Sequence, residues 1–370
     1  MLTTRSPILA QALFAEFRAD QYDIALRKAA RFARYFWRRL DIANDPFFNF
    51  PMGTNEAERR ALVQHLEAKK EKIPATEYLT DCLYIQAATI HRLLEQGQAA
   101  EAEIAEFYQL ANQALALIEI KEQKPKPIVS KKTDNMNFDK DSARQTLEDF
   151  AALLPNKQWP WYVVSGTFLG LHREGGFLAH DYDIDLGINA EDIDWDKLVE
   201  TLSASPLLII KKIDYYIDVY TDQSSQRRIR KLPSIIKLIH ENGMQVDLFI
   251  HYTENGRCWH GSSIHRWDNT PFALVERDLA GVSVFSPADA DLYLTENYGD
   301  WRTPITEFDC TTGTPNLVVA SNFISRALFV KRYVFFALHE PKQARKLQSA
   351  MRQAGVFAFR DEKIFMSESL

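Results

Sequence analysis

The sequence predicts an α+β chain: a mixed sheet with flanking helices, preceded by an all-helical N-terminal region. Three observations predict it. Apolar residues recur every three or four positions through the first third. A lysine- and proline-rich stretch then breaks that rhythm. Beyond it, short β-branched segments alternate with Gly- and Asn-containing turns.

Ala25, Ala29, Phe32, Phe36 and Leu40 share one helical face. So do Leu79, Leu83, Ala87, Ile90 and Leu93. After a turn at Gly97, Ala100, Ile104, Phe107 and Ala114 mark a partner stripe, so the pair predicts an αα-hairpin. Residues 1–120 are read as this helical region, which could be repeat-like. Residues 121–137, dense in Lys and Pro, are read as a linker. Residues 138–320 are expected to form the α+β domain and 321–370 a C-terminal helical extension. Within the domain, a helix over 142–154 precedes a buried strand, Trp161 to Val164. A second helix follows Ser165-Gly166-Thr167 and ends at Gly175-Gly176. Strands are expected at 183–188, 207–213, 215–220, 234–240 and 244–250. Asn242-Gly243 predicts an antiparallel hairpin between the last two. In the C-terminal helix, Phe329, Tyr333 and Phe336 lie on one side, Lys331 and Arg332 on another.

Composition bounds the function. A net charge of −6 argues against general nucleic-acid binding, which needs a basic surface. No apolar run reaches the roughly 18 residues of a membrane span. The opening residues lack a signal-peptide pattern, and three scattered cysteines suit a reducing compartment, so a cytoplasmic protein is expected. Cys258, His260 and His265 fit no standard zinc spacing. Ser165 lacks the G-x-S-x-G elbow of a hydrolase.

The chemistry points to Asp183-Ile184-Asp185. Residues two apart on a strand project to one face, with Cα atoms about 6.6 Å apart. Two carboxylates so placed repel each other unless a cation lies between them, and hard oxygen ligands suit Mg2+ or Mn2+. Ile184 and Leu186 then point to the core. Asp247, between Val246 and Leu248 on another expected strand, offers a third acid. Ser165-Gly166 forms a strand-to-helix turn whose backbone N–H groups could receive phosphate. Arg173 and the run Arg227, Arg228 and Arg230 are candidate anion contacts.

Ser165, Gly166, Thr167, Leu169, Gly170, Arg173, Gly176, Phe177, Asp181, Asp183, Ile184 and Asp185 together resemble the signature of the LicD–fukutin phosphotransferases. Tyr293-Leu294 and Tyr298-Gly299-Asp300-Trp301 resemble that family's closing segment. The similarity spans about 138–315. His180 and Tyr182 depart from it, standing where tryptophan and a further aspartate are common.

The resemblance implies a nucleotidyltransferase-type core. It further implies metal-dependent transfer of phosphocholine, a phosphoalditol or a sugar phosphate from a CDP-activated donor. The acceptor would be a hydroxyl of a glycan or lipid-linked glycan, in capsule or lipopolysaccharide biosynthesis, with peripheral association at the inner membrane face left open. Asp183, Asp185 and Asp247 would be the metal and catalytic residues, with Asp247 as ligand or as base. Ser165, Gly166, Thr167, Arg173, Arg227, Arg228 and Arg230 would bind substrate. Two alternatives stay open: transfer of a nucleoside monophosphate from a triphosphate, or a non-catalytic module that binds glycan or nucleotide.

Overall fold

A computed structural model describes residues 63–118, 139–179, 181–304, 310 and 314–368, apart from positions 65, 69, 73, 263 and 361–362. The stripe expected at Ala25 to Leu40 and the linker expected at 121–137 lie outside the described residues.

In chain order, the helices are α1 (Ala75–Glu95), α2 (Glu101–Ala116), α3 (Lys140–Leu153), α4 (Ser165–Glu174), α5 (Trp195–Ser203), α6 (Ala290–Tyr298), α7 (Phe323–His339) and α8 (Pro341–Gln353). The strands are β1 (Tyr162–Val163), β2 (Asp183–Asn189), β3 (Leu208–Thr221), β4 (Arg227–His240), β5 (Gln245–Glu254) and β6 (Arg257–Gly261). They continue with β7 (His265–Asn269), β8 (Leu274–Leu279), β9 (Val282–Pro287), β10 (Leu317–Val319), β11 (Phe357–Arg360) and β12 (Lys363–Met366). The chain divides into two units. Among the described residues, one takes those up to 118 together with 219–229 and 321–368; the other takes 139–218 and 230–320.

Within the first unit, α1 and α2 form the expected helical pair, joined through Gly97, whose φ of +69° suits glycine. Leu83, Ala87 and Ile90 of α1 and Ile104, Phe107 and Ala114 of α2 are buried. Phe323, at the start of α7, packs edge-on against Phe107 and Tyr108, and its N–H donates to His91 Nε2. Lys331 and Arg332, read as a separate polar side, are themselves buried; the Lys331 ammonium lies 2.9 Å from the Asp81 carboxylate. The last fifty residues are not helical throughout, since β11 and β12 pair antiparallel after α8. Phe357 and Met366 are buried ends of that ribbon, and two-stranded packing suits so short a segment better than another helix turn.

Within the second unit, the described strands make a ten-stranded mixed sheet. Its main path runs β10-β7-β6-β5-β2-β1-β9-β8, with β4 also on β5 and β3 on β4. Ile184, Leu186, Ile188, Val246, Leu248 and Ile250 are all essentially buried. Such unbroken apolar alternation on neighbouring strands marks the interior of a sheet. Asp139 caps α3 by accepting from the Asp141 and Ser142 N–H groups. Trp161 fills the core behind β1, and its indole N–H donates to the Leu154 carbonyl at 2.7 Å.

The antiparallel pair predicted by Asn242-Gly243 is present, with β4 against β5 and Gly243 at φ +93°. Two expected strands, 207–213 and 215–220, are one continuous strand, β3; the charged break at Asp214 is tolerated because that residue is only partly covered. The run Arg227 to Lys231, a candidate anion contact, is the first part of β4. The turn itself is Asp222 to Gln226. There the Asp222 carboxylate accepts from the Ser224 and Gln226 N–H groups, and Ser225 takes φ +59°. Strands β6 to β10 were not anticipated. They are three to six residues long, too short for a periodic signal, so pairing partners reveal them.

Candidate active site

The site grows from the pairing of β2 and β5. These strands run parallel with Asp185 directly opposite Asp247, one step from Ile184 opposite Val246. Parallel register therefore brings the third acid beside the first two. One oxygen from each of Asp183, Asp185 and Asp247 lies within 4.8 Å of the other two. Asp183 and Asp247 are buried, at 9% and 8% exposure, and Asp185 is half-buried.

The strand-to-helix turn supports this cluster from behind. Ser165 opens α4 with φ +46°, a left-handed value that a non-glycine residue adopts at a cost. The Gly166 N–H donates to Asp185 Oδ2 at 2.9 Å. A Cβ on Gly166 would sit 3.0 Å from Asp181 Oδ2 and 3.3 Å from Asp185 Oδ2, so glycine lets the carboxylates close on the turn. Thr167 is fully buried, and its hydroxyl oxygen accepts the Asp185 N–H at 2.9 Å. Val164 N–H donates to the Asp185 carbonyl at 3.1 Å. Asp185 is thus held through backbone and side chain by one turn.

Two of the expected substrate-binding residues carry contacts within the protein. The Gly166 N–H, read as a phosphate donor, bonds Asp185. Thr167 is buried and supports the acid strand. Thr167→Val should leave the Asp185 N–H without its acceptor and cost about 1–3 kcal/mol. Urea denaturation of the two proteins measures this, and equal midpoints would refute the role.

The electrostatics follow from crowding. Burial, then the neighbouring Asp247 and Asp181 charges, push the Asp183 carboxyl up to about 7, with Lys237 opposing. Burial and the Asp183, Asp181 and Asp247 charges push Asp185 well above the carboxylate range, against the Gly166 hydrogen bond. Asp181 belongs to this cluster. It lies just before β2, and its place two residues ahead of Asp183 was the available signal.

Lys237 was missed altogether. It lies on β4 directly opposite Asp247, and its ammonium bonds the Asp247 carboxylate. In the sequence it is one lysine among apolar strand residues, and nothing local ties it to Asp247. Tyr182 is 68% exposed beside the cluster, and the Asp183 charge, followed by desolvation, raises its phenol. Tyr298 and Tyr293, from the second motif, are raised chiefly by burial and also feel Asp185. The closing motif is therefore near the acids in space.

The basic candidates are placed differently. Arg173 pairs with Glu174 at 3.4 Å in the last turn of α4. Eight residues of helix, about 12 Å, separate it along the axis from the turn at Ser165. Arg227 lies 3.9 Å from Glu101, and Arg228 pairs with Asp222 at 2.9 Å. Arg230 bonds Asp218 at 2.7 Å and lies 3.6 Å from Glu254. Each of these guanidinium groups already faces a carboxylate.

Three converging carboxylate oxygens with no soft ligand form a donor set suited to a hard divalent cation. Among the described residues this is the one group of three or more His, Cys, Asp or Glu side chains able to hold a metal; Cys258, His260 and His265 form no such group. No helix of the described residues is long and apolar enough to cross a membrane.

Comparison with known proteins gives three findings. Residues 158–289 match the family model described as LicD/FKTN/FKRP, nucleotidyltransferase domain, a narrower span than the sequence motifs suggested. The chain is 25% identical over 193 residues to the mouse ribitol-5-phosphate transferase FKTN, covering 50% of this chain and 38% of that protein. It is 23% identical over 185 residues to the human protein of the same name, covering 48% and 36%. The chain thus spans well under half the length of these relatives. Among solved structures, lincomycin-bound lincosamide antibiotic adenylyltransferase LnuA aligns over 43% of this chain and 85% of that one. Its identity is 14% and its TM-score of 0.27 is too low to bear on the fold.

Proposed function

We propose that the chain, whose residues 158–289 match the LicD/FKTN/FKRP nucleotidyltransferase domain model, is a phosphotransferase acting on a glycan hydroxyl. The donor we propose is CDP-activated, and the group moved is phosphocholine, a phosphoalditol or a sugar phosphate. The setting is surface polysaccharide or lipopolysaccharide synthesis on the cytoplasmic side. The observation that carries this reading is the convergence of Asp183, Asp185 and Asp247 beside the Ser165-Gly166 turn.

We assign those three carboxylates as ligands of Mg2+ or Mn2+. When bound, the cation would neutralise the donor diphosphate and the charge that develops on the leaving group. Among the chain's own residues, Asp183 and Asp185 present oxygens from one strand face, and Asp247 closes the set from the next strand. Thr167 and Gly166 fix Asp185 so that little reorganisation is needed as substrate arrives. Convergence of Asp247 on the other two favours the ligand role for it over that of a separate base. Ser165 offers its hydroxyl at the mouth of the turn as a phosphate contact. Arg173, Arg227, Arg228 and Arg230 would first have to leave their carboxylate partners, which ranks them behind the turn.

Incubation with a panel of CDP-activated donors, a glycan acceptor and Mn2+ should release cytidine monophosphate. Release of pyrophosphate from a nucleoside triphosphate would instead support nucleotidyl transfer, which the family model's description also accommodates. In parallel, Mn2+ should raise the melting temperature of the wild type and leave Asp183→Asn unmoved. An equal metal response in both proteins would remove the acid cluster from the reading.

A further inference from the structure

Across β2, β5 and β4, three charged residues stand in one transverse row. Asp185 is opposite Asp247, and Asp247 is opposite Lys237. The row joins two acids to one base through backbone register alone. Four carboxylates, of Asp181, Asp183, Asp185 and Asp247, act on one another here, and Lys237 is the cation that offsets the charge on Asp183. Its ammonium bonds Asp247 Oδ2, an oxygen of the third acid of the cluster.

A divalent cation held by all three acids and an ammonium at hydrogen-bond distance from one of them would repel each other strongly. Both draw on the negative charge of the same carboxylate, so each weakens the other's hold on it. The Asp247 side chain is 11% exposed and fixed in the sheet, whereas the Lys237 side chain is 42% exposed on a flexible four-carbon stem. Lys237 is therefore the partner that can move. Once displaced it stays tethered on the strand next to Asp247, at the rim of the acid cluster, where a bound phosphorylated substrate would bring negative charge.

We propose that Lys237 is a positioning residue that holds Asp247 in the metal-free protein, yields it to an incoming divalent cation, and then presents its ammonium to the donor's phosphate. This rests on the metal-dependent reading above. Titration calorimetry of the full chain with Mn2+ alone should show Lys237→Met binding the ion about five- to tenfold more tightly than wild type, because a competitor is gone. At saturating Mn2+, cytidine diphosphate should bind the same variant about fivefold more weakly. Lys237→Arg, which keeps the charge, should lie near wild type in both. Opposite shifts are the signature, since a merely structural lysine would move both constants the same way or neither. Constants that shift together, or either one unchanged in Lys237→Met, overturn the proposal; should Lys237→Met not fold, Lys237→Gln reads the same two constants. A wild type that binds no Mn2+ overturns the metal reading itself, and that outcome is separate from a normal wild type with an unresponsive variant.

Discussion

Asp185→Asn is expected to lower the transfer rate by at least about 10³-fold while making the metal-free protein more stable. The first effect follows from removing a proposed metal ligand, since charge stabilisation by a bound cation amounts to several kcal/mol. The second follows from the crowding of the acids. Both Asp183, held up to about 7, and Asp185, held well above its usual range, take protons more readily in the folded chain than in the unfolded one. The native state therefore binds more protons in the window from about pH 4 to 7, and stability falls as pH rises through that window. An amide at position 185 removes the repulsion and keeps the shape. A gain on the order of 1 kcal/mol at pH 7 is expected, seen as a melting temperature a few degrees higher than wild type.

The contrast should be read as a difference between the two proteins across pH. Buried His251, held down to about 4, and His260, held well below its usual range, are kept neutral by burial. They act in the opposite sense, costing stability as pH falls below the ordinary imidazole range, and they do so equally in wild type and variant. The stability gain of Asp185→Asn should accordingly shrink as pH is lowered from 7 to 5. A variant that is inactive and also less stable at every pH would mean that Asp185 is a structural carboxylate.

Gly170→Ala should destabilise the second unit by about 3 kcal/mol, near the top of the usual range for overpacking. A Cβ there would lie 2.6 Å from the Gly176 carbonyl oxygen and 3.0 Å from the Leu178 nitrogen. These are backbone atoms and cannot rotate away as a side-chain tip would. Gly175, at φ +70°, ends α4 with its N–H on the Gly170 carbonyl, so the obstructed segment is the one that leads toward Asp181 and β2. Denaturant unfolding followed by tryptophan fluorescence should show the earlier midpoint, and Mn2+ binding should weaken alongside it. Wild-type stability in Gly170→Ala would show that the return loop can be rebuilt without loss.

These two substitutions mark different kinds of legibility. The acid pair could be read from spacing, because the period of a strand fixes which residues share a face whatever surrounds it. Asp181, just before the strand, joins the same cluster. The helix stripes of α1 and α2 were legible for the same reason, as was the β4–β5 hairpin from Asn242-Gly243. Strands β6 to β10 were not, since strands of three to six residues are stabilised by neighbours more than by their own residues. The buried Lys331–Asp81 pair was also hidden: its partners lie 250 positions apart, and a lysine on a helix ordinarily faces water.

What the sequence alone determined is a set of local commitments: two acids on one face, a small residue at the turn beside them, apolar stripes that must be buried. What only the tertiary structure decided is which distant residues meet them. Asp247 stands opposite Asp185 because two parallel strands bury Ile184, Leu186, Val246 and Leu248 together, and a slip of one residue would turn every acid into the core. Lys237 reaches Asp247, and Thr167 reaches the Asp185 N–H, through that same register. Pairing between remote strands is set by the burial of whole faces, a property that no short stretch of chain contains.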